Sequence, residues 1–252
     1  MKSRILIATH QPYIFPDLPL YEPVQAGAVN GKAITGCLRD DRGDNISAKN
    51  PFYSELTVLY WAWRNGCYAK GTLGGLVHYR RHFKGEEPFG RHRILGAKEI
   101  ADILKDYDVI VPSRRRYYIE TVQSHYAHAH HSGDLSVVRE VLQEKAPEYL
   151  EAFDRLMERR SLHLYNMFVM SAERIDAYCR WLFPLLFESE KHIDYRSYDS
   201  YQRRVMGFLG ERLFNVWLIR NEWRLYERGV VNLEGENLFR KGWRMIGRKI
   251  FS

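Results

Sequence analysis

The block His78-Tyr79-Arg80-Arg81-His82 follows directly on a glycine-marked apolar run, Leu73-Gly-Gly-Leu-Val77. Guanidinium forks match phosphate oxygens, and two arginines with two histidines and no acid between them suit an anionic ligand. The bland alternative is a solvated strand end paired with acidic neighbours. A second block, Asp40-Asp41-Arg-Gly-Asp44-Asn45-Ile-Ser47-Ala-Lys-Asn50, gathers carboxylates, amides and a hydroxyl. A turn with a helix cap uses two such groups. The surplus suits the hydroxyls of a ribose or sugar, to which carboxylates and amides form paired hydrogen bonds. The third block, His125-Tyr-Ala-His128-Ala-His130-His131, puts His125 and His128 on one helix face. No cysteine or acid stands at a ligand spacing beside them, so a surface helix or the acceptor side of a pocket is favoured over zinc. The fourth is Tyr201-Gln-Arg-Arg-Val-Met-Gly-Phe-Leu-Gly-Glu211-Arg212, on a helix whose other face carries Val205, Phe208, Leu209 and Leu213, with Glu211 beside Arg212 as its charged pair. Such a pair is either a structural salt bridge or a carboxylate aimed into a cleft as a general base.

These groups need a frame, and the apolar pattern supplies one. Ile5–Thr9 is a short buried-strand run ending at His10-Gln-Pro, and residues 11–50 have loop composition. From Pro51 the residues Tyr53, Leu56, Tyr60 and Trp63 recur at helical spacing as far as Asn65-Gly66. Leu73–Val77, Asp108–Pro112 and Leu164–Met170 read as further strands, with a helix over Gly96–Tyr107 and a basic-aromatic turn at Ser113–Tyr118. Residues 120–160 read as helical with a break at Pro147, and long helices are expected near 171–190 and 198–222. Strands alternating with helices predict an α/β fold, a central sheet flanked by helices. In such sheets ligands bind beyond the carboxyl ends of the strands, where the His78–His82 block stands.

With 252 residues, 45% hydrophobic and 27% charged, the chain can bury one sizeable core. A formal net charge of +7 favours polyanions: nucleic acid, anionic lipid or a diphosphate. The basic residues are dispersed and no nucleic-acid recognition motif is present, which argues against nucleic acid. Cys37, Cys67 and Cys179 are an odd set at no ligand spacing and fit a reducing compartment. The first apolar run is too short for a signal peptide, and no run approaches the roughly 18 residues of a membrane span. The expected setting is cytoplasmic, soluble or peripheral. Beyond Asn237, Phe239, Trp243, Ile246 and Ile250 fall on one helix face, flanked by Arg240, Lys241, Arg244, Arg248 and Lys249 without an acid. That is the pattern of a helix lying on an anionic membrane surface. The chain thus divides into a main domain, 1–222, and a C-terminal extension, 223–252, with a basic amphipathic helix.

Taken together, Asp44–Asn50, Ser54–Asn65, Gly75–Phe83, Asn166–Met170, Tyr178–Phe183 and Gly210–Leu213 resemble, in order, a bacterial family. It is long filed as a domain of unknown function in capsular, exopolysaccharide and O-antigen gene clusters. The resemblance implies a glycosyltransferase with a modified GT-A-like, Rossmann-like sheet and a helical C-terminal part. It further implies a UDP-sugar donor, with an inverting galactofuranosyltransferase domain among the relatives. The family's first strand commonly ends in His-Lys, where this sequence has His10-Gln11. Ordinary GT-A enzymes hold a divalent metal on the donor diphosphate through Asp-x-Asp. Here the equivalent strand runs into His78-Tyr79-Arg80, and arginine can neutralise a leaving diphosphate directly. No cofactor is required on this reading, although a divalent ion, Mn or Mg, stays open.

The expectation is hexosyl transfer, galactofuranose included, from a UDP-sugar to a lipid-linked glycan at the inner face of the plasma membrane. His10, Asp41, Asp44, Asn45, Ser47, Asn50, His78 and Tyr79 would bind the donor, and Arg80 and Arg81 would meet its diphosphate. Glu211 would deprotonate the acceptor hydroxyl, with Glu55, Asp44 and Asp134 as alternatives. A non-catalytic scaffold of a polysaccharide assembly complex is the competing reading.

Overall fold

The computed structural model describes residues 3–233. The amphipathic tail, and most of the expected C-terminal extension, lie outside the described residues.

Strand β1 (Arg4–Thr9) leads to β2 (Tyr21–Gln25) and the short β3 (Leu38–Arg39), and then to helices α1 (Asn50–Tyr53) and α2 (Leu56–Arg64). Next come β4 (Leu73–His78), β5 (Arg81–Phe89), β6 (His92–Ile94), α3 (Ala97–Asp106), β7 (Val109–Pro112) and β8 (Arg115–Arg116). Helices α4 (Val122–Ala129), α5 (Gly133–Lys145) and α6 (Leu150–Glu158) precede β9 (Ser161–Leu162) and β10 (Phe168–Ser171). Helices α7 (Ala172–His192) and α8 (Val205–Arg220) and strands β11 (Leu225–Arg228) and β12 (Val230–Asn232) follow.

The main sheet runs β11-β7-β10-β4-β1-β2-β3. β1 is parallel to β4 and β2, with Ala8 opposite His78. β10 runs antiparallel to β4, Phe168 facing Leu76. These directions decide where the chemistry sits. The carboxyl ends of β1 and β4 and the amino end of β10 all reach the same edge of the sheet. His10, the His78–Arg81 block and Tyr165–Asn166 therefore meet there, although they are far apart in sequence.

Alternation along the strands divides the core. Leu6, Leu76, Val109, Val111, Phe168 and Met170 turn to one face, against α2, α7 and α8. Ile5, Ile7, Val77, Ile110 and Val169 turn to the other, with Tyr21 and Ile100. Each such aliphatic chain, once fully buried, contributes about 1.5–3 kcal/mol. Tandem glycines in β4 allow the close packing: a Cβ on Gly75 would stand 2.7 Å from the Phe168 carbonyl, and one on Gly74 would stand 2.4 Å from the Tyr68 ring.

The α/β fold expected from sequence is the fold observed, with three corrections. The segment 11–50 is not loop alone: Tyr21–Gln25 is the sheet neighbour of β1, paired residue for residue with Ile5–Thr9. The block after β4 turns back as β5, so His82 and Phe83 are buried strand residues. Strands β11 and β12, from the start of the segment expected as a C-terminal extension, complete the sheet beside β7 and β5.

Candidate active site

At the shared sheet edge lies a cleft of about 690 Å³, whose lining includes Thr9, His10, Asn50, Glu55, His78, Tyr79, Arg80, Arg81, Tyr165, Arg204, Glu211 and Arg212. β1 delivers His10 and the turn between β4 and β5 delivers Tyr79, Arg80 and Arg81. The His10 ring meets the Tyr79 ring edge-on at 5.1 Å. The Arg81 guanidinium lies 4.6 Å from the centre of the Tyr165 ring, and that of Arg80 is 5.6 Å from the Tyr79 ring. The wall is positive: burial holds the His10 pKa below its usual value, and the charges of Arg80, Arg204 and His78 lower it further. A site that resists adding another proton is already prepared for an anion.

The floor is a strained corner. Tyr165 and Asn166 both adopt left-handed backbone, with φ of 80° and 50°. Such conformations cost about 1–3 kcal/mol each outside glycine and persist only where surrounding contacts impose them. Here the contacts are polar. The Tyr165 N–H donates to Glu211 Oε1 at 2.7 Å, and the Tyr165 carbonyl accepts from His78 Nε2 at 2.6 Å. The Asn166 amide donates to Glu55 Oε1 at 2.7 Å and to the Gly207 carbonyl at 3.2 Å. That bond from Nε2 fixes the tautomer of a neutral His78, whose pKa is lowered chiefly by burial.

Glu211 is set one helical turn past Gly207 on α8, with its side chain 17% exposed toward the cleft. Its Oε2 accepts from Arg212 Nη1 at 3.1 Å, so it is both a salt-bridge partner and a cleft carboxylate. Burial raises its pKa, and the Glu55 carboxylate adds to the rise against the pull of Arg212. A carboxylate moved toward neutrality is better matched to proton abstraction.

Rings also line the cleft. His130 stacks on Phe208 at 4.1 Å, and Tyr201 lies 5.3 Å from Phe208. Tyr117 stacks on His125 at 3.9 Å. Two histidines of the histidine-rich block, His125 and His130, thus line the cleft, whereas His128 bonds Glu120 and His131 stacks on Tyr198.

Of the expected site residues, His10, Asn50, His78, Tyr79, Arg80, Arg81 and Glu211 line this cleft together. Asp41, Asp44, Asn45 and Ser47 stand outside its lining and are used locally. Asp41 is ion-paired with Arg39 at 2.5 Å, and Asp44 with Arg64 at 2.6 Å. Asn45 accepts the Ser47 N–H, and the buried Ser47 hydroxyl donates to Asp40. Asp40, fully enclosed, also accepts from Gly27 N, Ala28 N and Thr57 Oγ1. The polar surplus of this block therefore ties the β2–α2 connection together. Among the alternative bases, Glu55 lines the cleft, while Asp134 is buried under Tyr126 and Tyr198. Among the described residues no three His, Cys, Asp or Glu side chains are grouped to hold a metal ion. Asp41 and Asp44 are each bound to arginine, outside the cleft lining. Read from sequence, Arg204 has no role, Phe208 is set on the face away from Glu211 although both line the cleft, and the Tyr165–Asn166 corner is unmarked but for the asparagine's tolerance of left-handed backbone.

The family described as domain of unknown function DUF4422 matches residues 4–222 of this chain. Among solved structures, the apo structure of the WbbM bifunctional glycosyltransferase superposes with a TM-score of 0.83 at 27% identity. The match covers 93% of this chain and 46% of that one, so the present chain spans less than half of that enzyme's length. No match was found among the curated proteins.

Proposed function

This chain belongs to the DUF4422 family, and from that premise and the cleft we propose that it is a glycosyltransferase using a UDP-sugar donor. The observation that carries the reading is the convergence in one cleft of Arg80 and Arg81, just beyond β4, with the half-buried carboxylate Glu211. The likeness in fold to half of a bifunctional glycosyltransferase supports it.

The donor diphosphate sits against Arg80 and Arg81, with His10 and Tyr79 beside it. The sugar lies over the Tyr165–Asn166 floor, and the acceptor approaches along the wall of Tyr117, His125, His130 and Phe208. Glu211 takes the proton from the acceptor hydroxyl as its oxygen bonds to the anomeric carbon. The bond from that carbon to the diphosphate breaks, and the electron pair leaves with UDP. Attack from the face opposite the leaving group inverts the centre. The arginines stabilise charge developing on the leaving group, which is where fixed positive groups accelerate such reactions most. No step here passes through a metal ion.

The donor sugar is a hexose, galactofuranose among the candidates. The acceptor is a lipid-linked glycan of a cell-surface polysaccharide such as capsule, exopolysaccharide or O-antigen, and the enzyme works peripherally at the cytoplasmic face of the membrane. Release of UDP from a panel of UDP-hexoses, with glycan acceptors and with or without EDTA, tests the reading. The expected result is donor-selective UDP release that survives EDTA. Absence of release and of UDP binding across the panel would leave the scaffold reading in its place.

A further inference from the structure

Between β7 and α4 the chain makes a projecting turn of which the cleft chemistry uses only Tyr117. Strand β8 pairs with β9, Arg115 opposite Leu162 and Arg116 opposite Ser161. The Tyr117 N–H donates to the Arg160 carbonyl at 2.7 Å, and the Tyr117 ring is stacked on His125. On the far side Thr121 caps α4 through reciprocal bonds with Ser124. Held at both ends, the turn thrusts out Tyr118 and Ile119, whose exposures of 89% and 88% exceed those of all other large apolar residues described. An isolated exposed leucine or isoleucine is ordinary; two adjacent ones at the apex of a braced turn are a presented surface.

Arginines surround that apex. Arg114, Arg115 and Arg116 lead into it, Arg159 and Arg160 lead into the partner strand, and Arg155 shares a pocket with Arg114 and Arg159. The nearby acids do not balance these six arginines: Glu227 is bound to Arg114 and Glu120 to His128, leaving Glu158 next to Arg159 and Glu222 at the pocket edge. Arg159 registers the excess, its pKa lowered first by burial and then by the charges of Arg155 and Arg114. A groove of about 970 Å³ lies along this turn, and Tyr117 and His125 line both it and the cleft.

We infer that the turn from Arg114 to Ile119 is a membrane contact, inserting Tyr118 and Ile119 into the interface of an anionic bilayer while the surrounding arginines meet lipid phosphates. A tyrosine and an aliphatic side by side suit the headgroup boundary, where rings and short apolar chains rest with basic residues above them. Single-stranded nucleic acid would be met by successive stacking rings, and Ile119 supplies none. The surface deepens the membrane-side reading given above, since it would place the mouth of the Tyr117–His125 groove against the leaflet that carries a lipid-linked acceptor. Its test does not depend on transfer.

The full-length chain, the double variant Tyr118→Ser/Ile119→Ser and the double variant Arg115→Ala/Arg116→Ala are floated with vesicles of phosphatidylcholine, with and without phosphatidylglycerol. Unfolding midpoints are compared to confirm equal folding. Residues 234–252 are the same in all three, so any difference reports the turn. The wild type is expected to bind the phosphatidylglycerol vesicles, and each double variant to bind about tenfold more weakly. Equal binding by all three proteins overturns the inference. So does failure of the wild type to bind, or stronger binding of a single-stranded oligonucleotide than of vesicles at physiological salt.

Discussion

Glu211 Oε1 accepts the backbone N–H of Tyr165 at 2.7 Å, joining the carboxylate to a residue held in left-handed backbone. One side chain thus shapes the cleft floor and presents a carboxylate to it, and the two roles can be separated. Glutamine keeps an oxygen able to accept the Tyr165 N–H but cannot take a proton. Glu211→Gln should therefore fold and bind UDP like the wild type while transfer falls about 100-fold or more. UDP binding by calorimetry beside a UDP-release assay checks this; an active glutamine variant moves the base to Glu55.

Glu55 should set where on the pH scale the base works. Burial is the main cause of the raised Glu211 pKa, and the negative charge of Glu55 adds to it. A base must be deprotonated to act, so transfer rises with pH through that pKa. Removing the Glu55 charge lowers the Glu211 pKa, and Glu55→Gln should move the acidic limb of the rate profile to lower pH. A shift to higher pH, or loss of the acidic limb, would contradict the assignment.

Arg80→Ala and Arg81→Ala should each slow transfer about 100-fold, a loss near 3 kcal/mol of transition-state stabilisation. Neither side chain is a core residue, so the unfolding midpoint should stay close to that of the wild type. If both variants turn over normally, the diphosphate lies elsewhere in the cleft.

His82 gives the fold an acid limit unrelated to catalysis. It is fully enclosed between the Tyr21 and Phe89 rings. Burial pushes its pKa from 6.5 down to about 3. The folded state keeps His82 neutral where the unfolded chain protonates it. Its cost to stability is absent above pH 6.5, grows as pH falls below that value, and levels off near 3. Each pH unit in that window costs about 1.4 kcal/mol. His82→Phe removes this dependence, so thermal melts at pH 7 and 5 should show the variant losing less stability than the wild type.

Much of the frame was legible because its strands are unbroken apolar runs and its helices keep a clear period. β1, β4, β7 and β10 are of that kind, as is α7. β2 was not, because Tyr21-Glu-Pro-Val-Gln has a half-exposed Glu22 and Pro23; only pairing with β1 makes it a strand. At the cleft, the strand-end rule found the His78–Arg81 block, and the parallel register of β1 and β4 brings His10 beside it. The Asp41–Ser47 group shows the opposite case. Composition cannot distinguish polar groups that wait for a ligand from polar groups that satisfy one another around Asp40. Leu164–Met170 was read as one strand through its apolar content, which concealed the turn at Tyr165–Asn166 that shapes the floor.

The sheet order also sets when the cleft can first exist. Its lining comes from positions near 10, 50, 80, 165 and 210, brought to one edge by parallel β1 and β4 and antiparallel β10. During synthesis the arginine-bearing end of β4 emerges well before β10 and α8, and no shorter nascent chain holds both the arginines and Glu211. Nucleotide affinity should consequently be a property of the finished domain alone. In ribosome-stalled chains it should appear only once α8 and the strands β11 and β12 have cleared the exit tunnel, in one step and not by degrees.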